Sequence, residues 1–185
     1  DLAAGALADL KSHPALSTVA ASIAREPGAQ AIAAAAEAIG GAQILVNNAG
    51  IFPTSPFEDM SFEQWKAVID VNLHGTFLVT KALFPQMKAA GWGRIINIGS
   101  SSFLTGAPNA THYIASKGGV LGFARGLAGE IGKYGITVNT VTPGLTTTGT
   151  ALAQTPPEVL EAKRRGRAVP RDQAPGDIVG AVLFL

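Results

Sequence analysis

Three residues of this chain have types and a spacing that could carry proton chemistry: Tyr113, Lys117 and Ser100. Tyr113 and Lys117 stand four residues apart, so on a helix both side chains leave the same face. A free tyrosine titrates at about pH 10, and a neighbouring ammonium favours the phenolate. Lys117 would therefore give Tyr113 the help that a phenol needs to act as an acid or a base near neutral pH. We interpret the group as a proton-transfer site.

Ser100 directly follows the segment at residues 94–99, which is apolar, rich in isoleucine and ends in glycine. Such a segment is typical of a buried strand in a parallel sheet. The Ser100 hydroxyl would then lie at the carboxyl end of a strand, where open α/β sheets bind ligands. A tyrosine and a lysine at this spacing are common on solvent-facing helices, so the interpretation depends on the other motifs of the chain.

The alternation of helical and strand-like periodicity predicts an α/β fold with a doubly wound parallel sheet. Ser61 and Gln64 have the spacing of a capping box, which opens a helix that we expect to bend and continue to residue 90. Pro85 should kink this helix, because proline cannot donate a backbone hydrogen bond. The predicted helices span residues 2–10, 28–39, 61–90, 113–132 and 177–185, and the predicted strands span residues 16–20, 44–46, 94–99 and 136–141.

Length and composition predict one globular domain over residues 1–185, with a substantial core. The chain is 47% hydrophobic, has a net charge of +1 with interspersed signs, and contains no cysteine. These values exclude a basic nucleic-acid surface, disulfides and thiolate chemistry, and together with the lack of a signal peptide they favour the cytoplasm. The stretch at residues 29–46 holds too many polar residues for a membrane span, and no histidine has the spacing of a metal site.

Further motifs accompany these three residues in a fixed order. Asn47-Asn48-Ala49-Gly50 follows the predicted strand at residues 44–46, Asn72 follows Val71, and Pro143-Gly144 closes the predicted strand at residues 136–141. The whole set resembles the short-chain dehydrogenase/reductase family, from about residue 20 to residue 185. The resemblance implies a Rossmann-like fold. The glycine-rich N-terminal unit and the last C-terminal strand of that fold do not occur here, so we expect an interior part of a longer chain.

The resemblance also implies NAD or NADP as the cofactor and a role for each motif residue. Tyr113 would be the general acid/base, Lys117 would lower its pKa and bind the nicotinamide ribose, and Ser100 would hold the substrate oxygen. Asn72 would orient a water that links Lys117 to solvent, and Asn47 would brace the sheet. The implied cofactor-binding residues are Ser22, Ile23, Asn48, Ala49, Gly50, Tyr113, Lys117, Pro143, Gly144, Thr146 and Thr148. NAD and NADP both stay open, because no residue here is identified as the one that reads the adenosine ribose. Asp1 is interpreted as the start of a helix, with the ribose role as the alternative.

Substrate choice is expected at residues 101–109 and 145–168, with Phe103, Leu104 and Leu152 as an apolar lining. The sequence at residues 91–94 and 111–113 resembles both 3-oxoacyl-carrier-protein reductases and bacterial dehydrogenases of aryl-substituted secondary alcohols. We therefore expect a small-molecule substrate and reversible oxidation of a secondary alcohol to a ketone, with 3-oxoacyl-carrier-protein reduction as an alternative. A cluster of basic residues at positions 163–167 is interpreted as a solvated helix face, with contact to a cofactor or carrier phosphate as the alternative. Its members are Lys163, Arg164, Arg165 and Arg167.

Two alternatives of other kinds stay open. The fold can serve as a nucleotide-binding scaffold or sensor without turnover, although the complete set of Asn72, Ser100, Tyr113 and Lys117 favours an enzyme. Extended epimerase or dehydratase relatives also use the tyrosine and the lysine, but they normally lack the Asn-Asn-Ala-Gly sequence. His112, beside Tyr113, is interpreted as a packed neighbour rather than as a substrate contact.

The helix predicted at residues 113–132 carries Gly118, Gly122, Gly126 and Gly129 on one stripe. Each glycine costs roughly 1 kcal/mol relative to alanine in a helix interior, so close contact with another backbone must offset the cost. For Gly118 and its neighbour Gly119, that contact could be the sheet beneath. By resemblance we expect a homotetramer or a homodimer, built by packing this helix and the helix at residues 72–90 on symmetry mates. We expect neither nucleic acid nor a membrane as a partner.

Overall fold

A computed structural model describes residues 15–185, and the helix predicted at residues 2–10 lies outside the described residues. Three parallel strands form the sheet, in the order β1-β2-β3. β1 spans Ile44–Asn47, β2 spans Gly93–Ile98 and β3 spans Ile136–Val141. All three strands lie where the sequence predicts them. With the helices between them, they confirm the α/β fold class.

Eight α-helices accompany the sheet in the described part of the chain. They are α1 Glu26–Ala38, α2 Phe62–Ile69, α3 Gly75–Ala90, α4 Ser102–Thr105, α5 Thr111–Ile131, α6 Gly149–Gln154, α7 Pro157–Arg165 and α8 Gly176–Phe184. Short 3-10 turns occur at Phe57–Asp59 and Gly132–Tyr134. Both crossovers move one strand over in the same direction, which places α3 and α5 on the same face of the sheet.

The prediction of a strand at residues 16–20 is wrong, because this segment has no regular secondary structure. A strand needs the backbone hydrogen bonds of a neighbouring strand, and within residues 15–185 the sheet consists of β1, β2 and β3. A short apolar run is therefore not sufficient to form a strand. At the outer side of the sheet, Ile44 and Val46 of β1 keep exposed side chains.

The helical run that begins with α2 matches its predicted start. Ser61 caps α2 by accepting a hydrogen bond from the Gln64 amide at 3.2 Å, while the Gln64 side chain accepts one from the Ser61 amide at 2.8 Å. Between α2 and α3, the segment Asp70–His74 forms a π-helical turn. Pro85 lies inside α3, which continues to Ala90.

The run Phe62–Ala90 is also the one helix in the described residues that is long and apolar enough to cross a membrane. It has 29 residues and a mean hydropathy of 1.2 in its most apolar window. The core helix of a folded domain meets the same criteria. Val79, Leu83 and Met87 of α3 are buried in the core, beside Ala33 of α1 and Ile95 of β2. We therefore interpret the run as a core helix.

A row of polar side chains crosses the sheet near the carboxyl ends of the strands. The strand register pairs Asn47 with Asn97 and Asn97 with Thr140. The Asn47 side-chain amide donates to Asn97 Oδ1 at 2.8 Å and to Thr80 Oγ1 of α3 at 3.0 Å. Asn97 is completely buried. Asn47 thereby ties β1 to β2 and to the helix above them.

Replacing Asn47 with alanine is expected to destabilise the protein by about 1–3 kcal/mol, because it removes a donor from a buried carbonyl and from a buried hydroxyl. Asn48→Ala is the matched control. Its side chain is exposed, and the change should stay within about 0.5 kcal/mol. Urea unfolding of the full-length protein measures both values. Equal effects of the two substitutions would contradict the bracing role of Asn47.

Candidate functional site

Helix α5 carries Tyr113 and Lys117 one turn apart near its start, as the spacing predicts. Tyr113 is half-buried, whereas Lys117 is only 7% exposed. Lys117 Nζ lies 5.7 Å from the centroid of the Tyr113 ring, within the range of a cation–π contact. The phenol and the ammonium are therefore neighbours on one face of the helix.

Lys117 Nζ is held at the end of the sheet. It donates a hydrogen bond to the carbonyl oxygen of Ile98, the last residue of β2, at 2.7 Å. A side chain at position 50 would begin 3.7 Å from Nζ and 3.2 Å from Asn72 Oδ1. Gly50 thus leaves an open space beside the ammonium. Two of the three protons of Nζ remain for other acceptors after the bond to Ile98.

Burial changes the pKa values of both groups. It lowers the pKa of Lys117 to about 8, because the charged ammonium is disfavoured away from water. It raises the pKa of Tyr113, and hydrogen bonding by the nearby Ser100 side chain offsets only part of that rise. The expectation that Lys117 lowers the pKa of Tyr113 below its ordinary value is therefore wrong for this structure. Burial is the largest influence on the phenol, and the Lys117 ammonium is directed to the Ile98 carbonyl.

Ser100 lies just beyond the carboxyl end of β2, as the sequence predicts. Its Oγ is 2.8 Å from Ser102 Oγ and accepts a hydrogen bond from the Ser102 amide at 3.2 Å. Gly99, before it, donates its amide to the Val141 carbonyl at 2.7 Å, and a Cβ there would lie 2.9 Å from Thr140 Cγ2. A side chain at position 99 would therefore require the Thr140 methyl group to shift. The Ser100 hydroxyl is thereby fixed between β2 and α4.

Asn72 lies in the π-helical turn and is 1% exposed. Its Oδ1 accepts a hydrogen bond from the Ile51 amide at 2.8 Å, and its Nδ2 donates to the Ile51 carbonyl at 3.0 Å. Nδ2 also donates to Ser116 Oγ at 3.1 Å, and Ser116 Oγ donates to the Tyr113 carbonyl at 2.7 Å. The Asn72 side chain therefore joins the segment after β1 to the first turn of α5.

The sequence did not single out Ile51 or Ser116, although both belong to this network. Ile51 takes part only through its backbone, which leaves no trace in its residue type. Ser116 follows Tyr113 by three residues, at the spacing where a serine hydroxyl reaches back to a helical carbonyl. That spacing was the available signal. The side chain of Asn72 bonds to the backbone of Ile51 and to Ser116.

Most of the predicted cofactor-binding residues follow the carboxyl ends of the strands. Asn48, Ala49 and Gly50 follow β1, while Pro143 and Gly144 follow β3. The Ser101 amide donates to the Pro143 carbonyl at 2.9 Å, which joins the segments after β2 and β3. Because parallel strands end at the same edge of the sheet, these segments share that edge with Ser100 and Lys117.

The hydroxyl groups of Thr146 and Thr148 form hydrogen bonds within the segment that follows β3. Thr146 Oγ1 donates to the Gly144 carbonyl at 3.2 Å, and Thr148 Oγ1 caps α6 by accepting from the Ala151 amide at 3.1 Å. The Thr147 amide donates to the Gln173 carbonyl at 2.8 Å, which ties the segment to the chain before α8. This tie joins two backbones, so no residue type could indicate it in advance.

Ser22 and Ile23 do not lie in the segments that follow the three strands. They precede α1, and Ser22 is exposed. The Ile23 side chain packs against Gly75, where a Cβ would lie 2.7 Å from Ile23 Cδ1, and it belongs to the edge of the core. No hydrogen bond in the described residues links either residue to Tyr113 or Lys117.

Lys163 and Arg165 of the basic cluster are exposed, as a solvated helix face predicts, whereas Arg164 and Arg167 are partly buried. Arg164 pairs with Glu161 at 2.7 Å and with Asp172 at 2.8 Å, and Arg165 pairs with Glu161. Arg167 donates to the carbonyl oxygens of Leu145 at 2.6 Å and Arg171 at 2.7 Å. Arg164 and Arg167 thus link α7 to the segments on either side of it, whereas Arg165 pairs only within the helix.

The chain belongs to the short-chain dehydrogenase family, whose model it matches over residues 3–158. It is 41% identical over 138 residues to the D-beta-hydroxybutyrate dehydrogenase of Rhizobium meliloti, covering 75% of this chain and 52% of the relative. It is 40% identical to the acetoacetyl-CoA reductase of an Acinetobacter species, with coverages of 86% and 64%. It is 38% identical to the 3-alpha-(or 20-beta)-hydroxysteroid dehydrogenase of Mycobacterium bovis, with coverages of 84% and 57%. The chain spans about half to three fifths of the length of these relatives.

The lowered pKa of Lys117 predicts a pH-dependent contribution to stability. The folded protein releases this proton at about pH 8, whereas the unfolded chain keeps it until its ordinary pKa of 10.5. Between these values the unfolded state binds more protons, so the free energy of unfolding should rise with pH, by up to about 1.4 kcal/mol per pH unit. Below pH 8 both states are protonated and the contribution is flat.

Urea unfolding below and above pH 8, for wild-type protein and for Lys117→Met, tests this contribution. The wild-type protein should gain stability relative to the variant as pH rises. Lys117→Arg should lose the same slope, because arginine keeps its proton throughout this range. Parallel curves for wild-type protein and both variants would contradict the assignment.

Proposed function

We propose that the protein is an NAD(P)-dependent oxidoreductase that interconverts a secondary alcohol and a ketone. The observation that carries the proposal is the convergence of Tyr113, Lys117 and Ser100 at the carboxyl edge of a parallel sheet, in a chain of the short-chain dehydrogenase family. Ligands of open α/β sheets bind at this edge. The relatives named for dehydrogenase or reductase activity support the same class of reaction.

A nicotinamide dinucleotide, when bound, would supply or accept the hydride. The residues at the sheet edge fit such a group, since the space beside Gly50 is one that a Cβ would fill, 3.7 Å from Lys117 Nζ. Asn48, Ala49 and Gly50 would approach the group through their backbone, as would Pro143 and Gly144. Lys117 would use the protons left after its bond to Ile98. Thr146 and Thr148 would act mainly through their backbone, because their hydroxyls bond within their own segment.

Tyr113 would move the proton and Ser100 would hold the substrate oxygen. In the direction of reduction, the carbonyl carbon gains a hydride and the carbonyl oxygen gains the Tyr113 proton, which together give the alcohol. The raised pKa of Tyr113 keeps the phenol protonated near neutral pH, so it is ready to act as an acid. Oxidation requires the phenolate and should therefore be favoured as pH rises.

The main experiment measures nicotinamide reduction and oxidation by the full-length protein with NAD and NADP and a panel of secondary alcohols and ketones. Turnover separates this proposal from a binding scaffold or sensor, which would bind the dinucleotide without consuming it. Comparison of free ketones with 3-oxoacyl carrier-protein substrates tests 3-oxoacyl-carrier-protein reduction as the alternative. Dinucleotide binding without turnover of any substrate would contradict the proposal.

Tyr113→Phe should lower kcat by about 10²- to 10⁴-fold, the usual contribution of a general acid or base. Dinucleotide binding, measured by calorimetry, should be nearly unchanged because only the hydroxyl is lost. Tyr134→Phe is the control, since it makes the same chemical change at the other tyrosine of the chain. If both variants lose activity to the same extent, or if neither does, the assignment of Tyr113 as the general acid/base is contradicted.

We further propose a homotetramer or a homodimer that uses the outer faces of α3 and α5. A groove of about 430 Å³ lies between these helices and is lined by Phe77, Phe84, Gly122, Gly126 and Tyr134, among others. At Gly122, Gly126 and Gly129, a Cβ would have no atom of the described residues within 4 Å beyond its own stretch of helix. Gly118 and Gly119 differ, because they contact Phe103 and Leu73 rather than the sheet. The open glycines leave room for a second backbone, which supports the proposal.

Gly126→Leu should split the assembly of the full-length protein in analytical ultracentrifugation. A Cβ at this position meets nothing else in the described part of the chain, so a split reports on contact with a partner. Gly126→Ala is the matched control, since it restores roughly 1 kcal/mol of helix propensity with little bulk. A wild-type monomer, or an assembly that Gly126→Leu leaves intact, would contradict the proposed interface.

A further inference from the structure

We infer that the site accepts a neutral, apolar ketone or alcohol and that Phe52 is the residue that selects it. The inference rests on the proposed function and names the substrate class of the same site. It follows from the aromatic contact made by Phe52 and from the distribution of charge around the carboxyl edge of the sheet.

Phe52 packs directly on Tyr113. Their ring centroids are 4.5 Å apart and their planes meet at 71°, which is an edge-to-face contact. Phe52 follows Ile51, whose backbone Asn72 holds with two hydrogen bonds, so the phenyl ring has a fixed base. The ring is still 42% exposed. One part of it therefore orients Tyr113, and another part remains open to a molecule beside the phenol.

The residues that directly follow the three strands carry no charged side chain, and the first charged residues after β1 are Glu58 and Asp59. Residues 48–57, 98–116 and 142–153 include no Asp, Glu, Lys or Arg. His112 is the one histidine among them, and it is completely buried. A substrate at this edge of the sheet therefore meets backbone, hydroxyl, amide and apolar groups.

Among Lys117 and the four cations of the basic cluster, all but Lys163 have hydrogen-bond or ion-pair partners in the described residues. Lys117 donates to the Ile98 carbonyl, and Arg167 donates to the carbonyls of Leu145 and Arg171. Arg164 and Arg165 are paired with acidic side chains. A substrate carboxylate or phosphate would lose hydration here, and it would have to compete with the dinucleotide for the remaining protons of Lys117, which is costly.

Exposed apolar surface continues beside Ser100. Helix α4 begins two residues after Ser100 and presents Phe103 and Leu104, both with exposed side chains. A hydrocarbon or aryl substituent that covers such surface gains about 25 cal/mol for each Å² removed from water. The combination of apolar surface and absent charge favours a neutral substrate over an acidic one.

Three ketones test the inference in the full-length protein: acetophenone, acetoacetate and butanone. The value of kcat/KM for acetophenone should exceed that for acetoacetate by roughly tenfold or more. Calorimetry with 1-phenylethanol and 3-hydroxybutyrate should give the same order of affinity in the presence of NAD or NADP. Equal or tighter binding of 3-hydroxybutyrate would overturn the inference. If the order of affinity holds while none of the ketones is reduced, the substrate class stands and the proposed reaction fails.

Phe52→Ala should lower kcat/KM for acetophenone by roughly tenfold while changing that for butanone much less, because butanone has no ring to bind. A uniform loss for both ketones would mean that Phe52 acts only by orienting Tyr113, and would overturn its selective role. Phe57→Ala is the matched control, since Phe57 is 73% exposed in the same connection and should leave both values unchanged. Lys163→Ala should leave acetoacetate turnover unchanged, and a selective loss there would overturn the argument from charge.

Discussion

The hydrogen bonds of the buried Asn72 amide are the constraint on which the rest of the site depends. They hold both polar groups of Ile51 and the Ser116 hydroxyl, which in turn bonds the Tyr113 carbonyl. A buried amide left without partners costs about 1–3 kcal/mol, so these segments keep their positions together. Asn72 faces them from a π-helical turn, a rare local structure that is frequent at functional sites. The segment after β1 and the first turn of α5 therefore form one unit.

Burial fixes the position of Lys117 and lowers the pKa of its ammonium group. The side chain is almost enclosed, so its pKa falls to about 8, and its ammonium donates a hydrogen bond to the Ile98 carbonyl. The same enclosure raises the pKa of Tyr113. Near neutral pH the pair is therefore an ammonium beside a neutral phenol, which suits proton donation better than proton removal. The direction of both shifts follows from desolvation, whereas the sequence-based expectation considered only the attraction between the two groups.

The sequence was most informative where a residue type has a strong local meaning. It predicted the capping box at Ser61, the three strands and the shared face of Tyr113 and Lys117. It failed at residues 16–20, because strand formation depends on a neighbour that local pattern cannot supply. It also missed the use of the Thr148 hydroxyl as a helix cap, and the part that Ile51 plays through its backbone. Both depend on backbone positions that only the folded chain defines.

Glycine serves two separate purposes in this chain, and the space around each position distinguishes them. At Gly50 and Gly99 a Cβ would approach groups of the site or the neighbouring strand, so the absence of a side chain shapes the carboxyl edge of the sheet. At Gly122 and Gly126 a Cβ would meet nothing else in the described part of the chain, although each glycine weakens the helix by roughly 1 kcal/mol. The absence of a compensating contact within the described residues is what supports the proposed interface. Because Tyr113, Lys117 and these open glycines share α5, packing on the outer face of the helix would also fix the positions of the phenol and the ammonium.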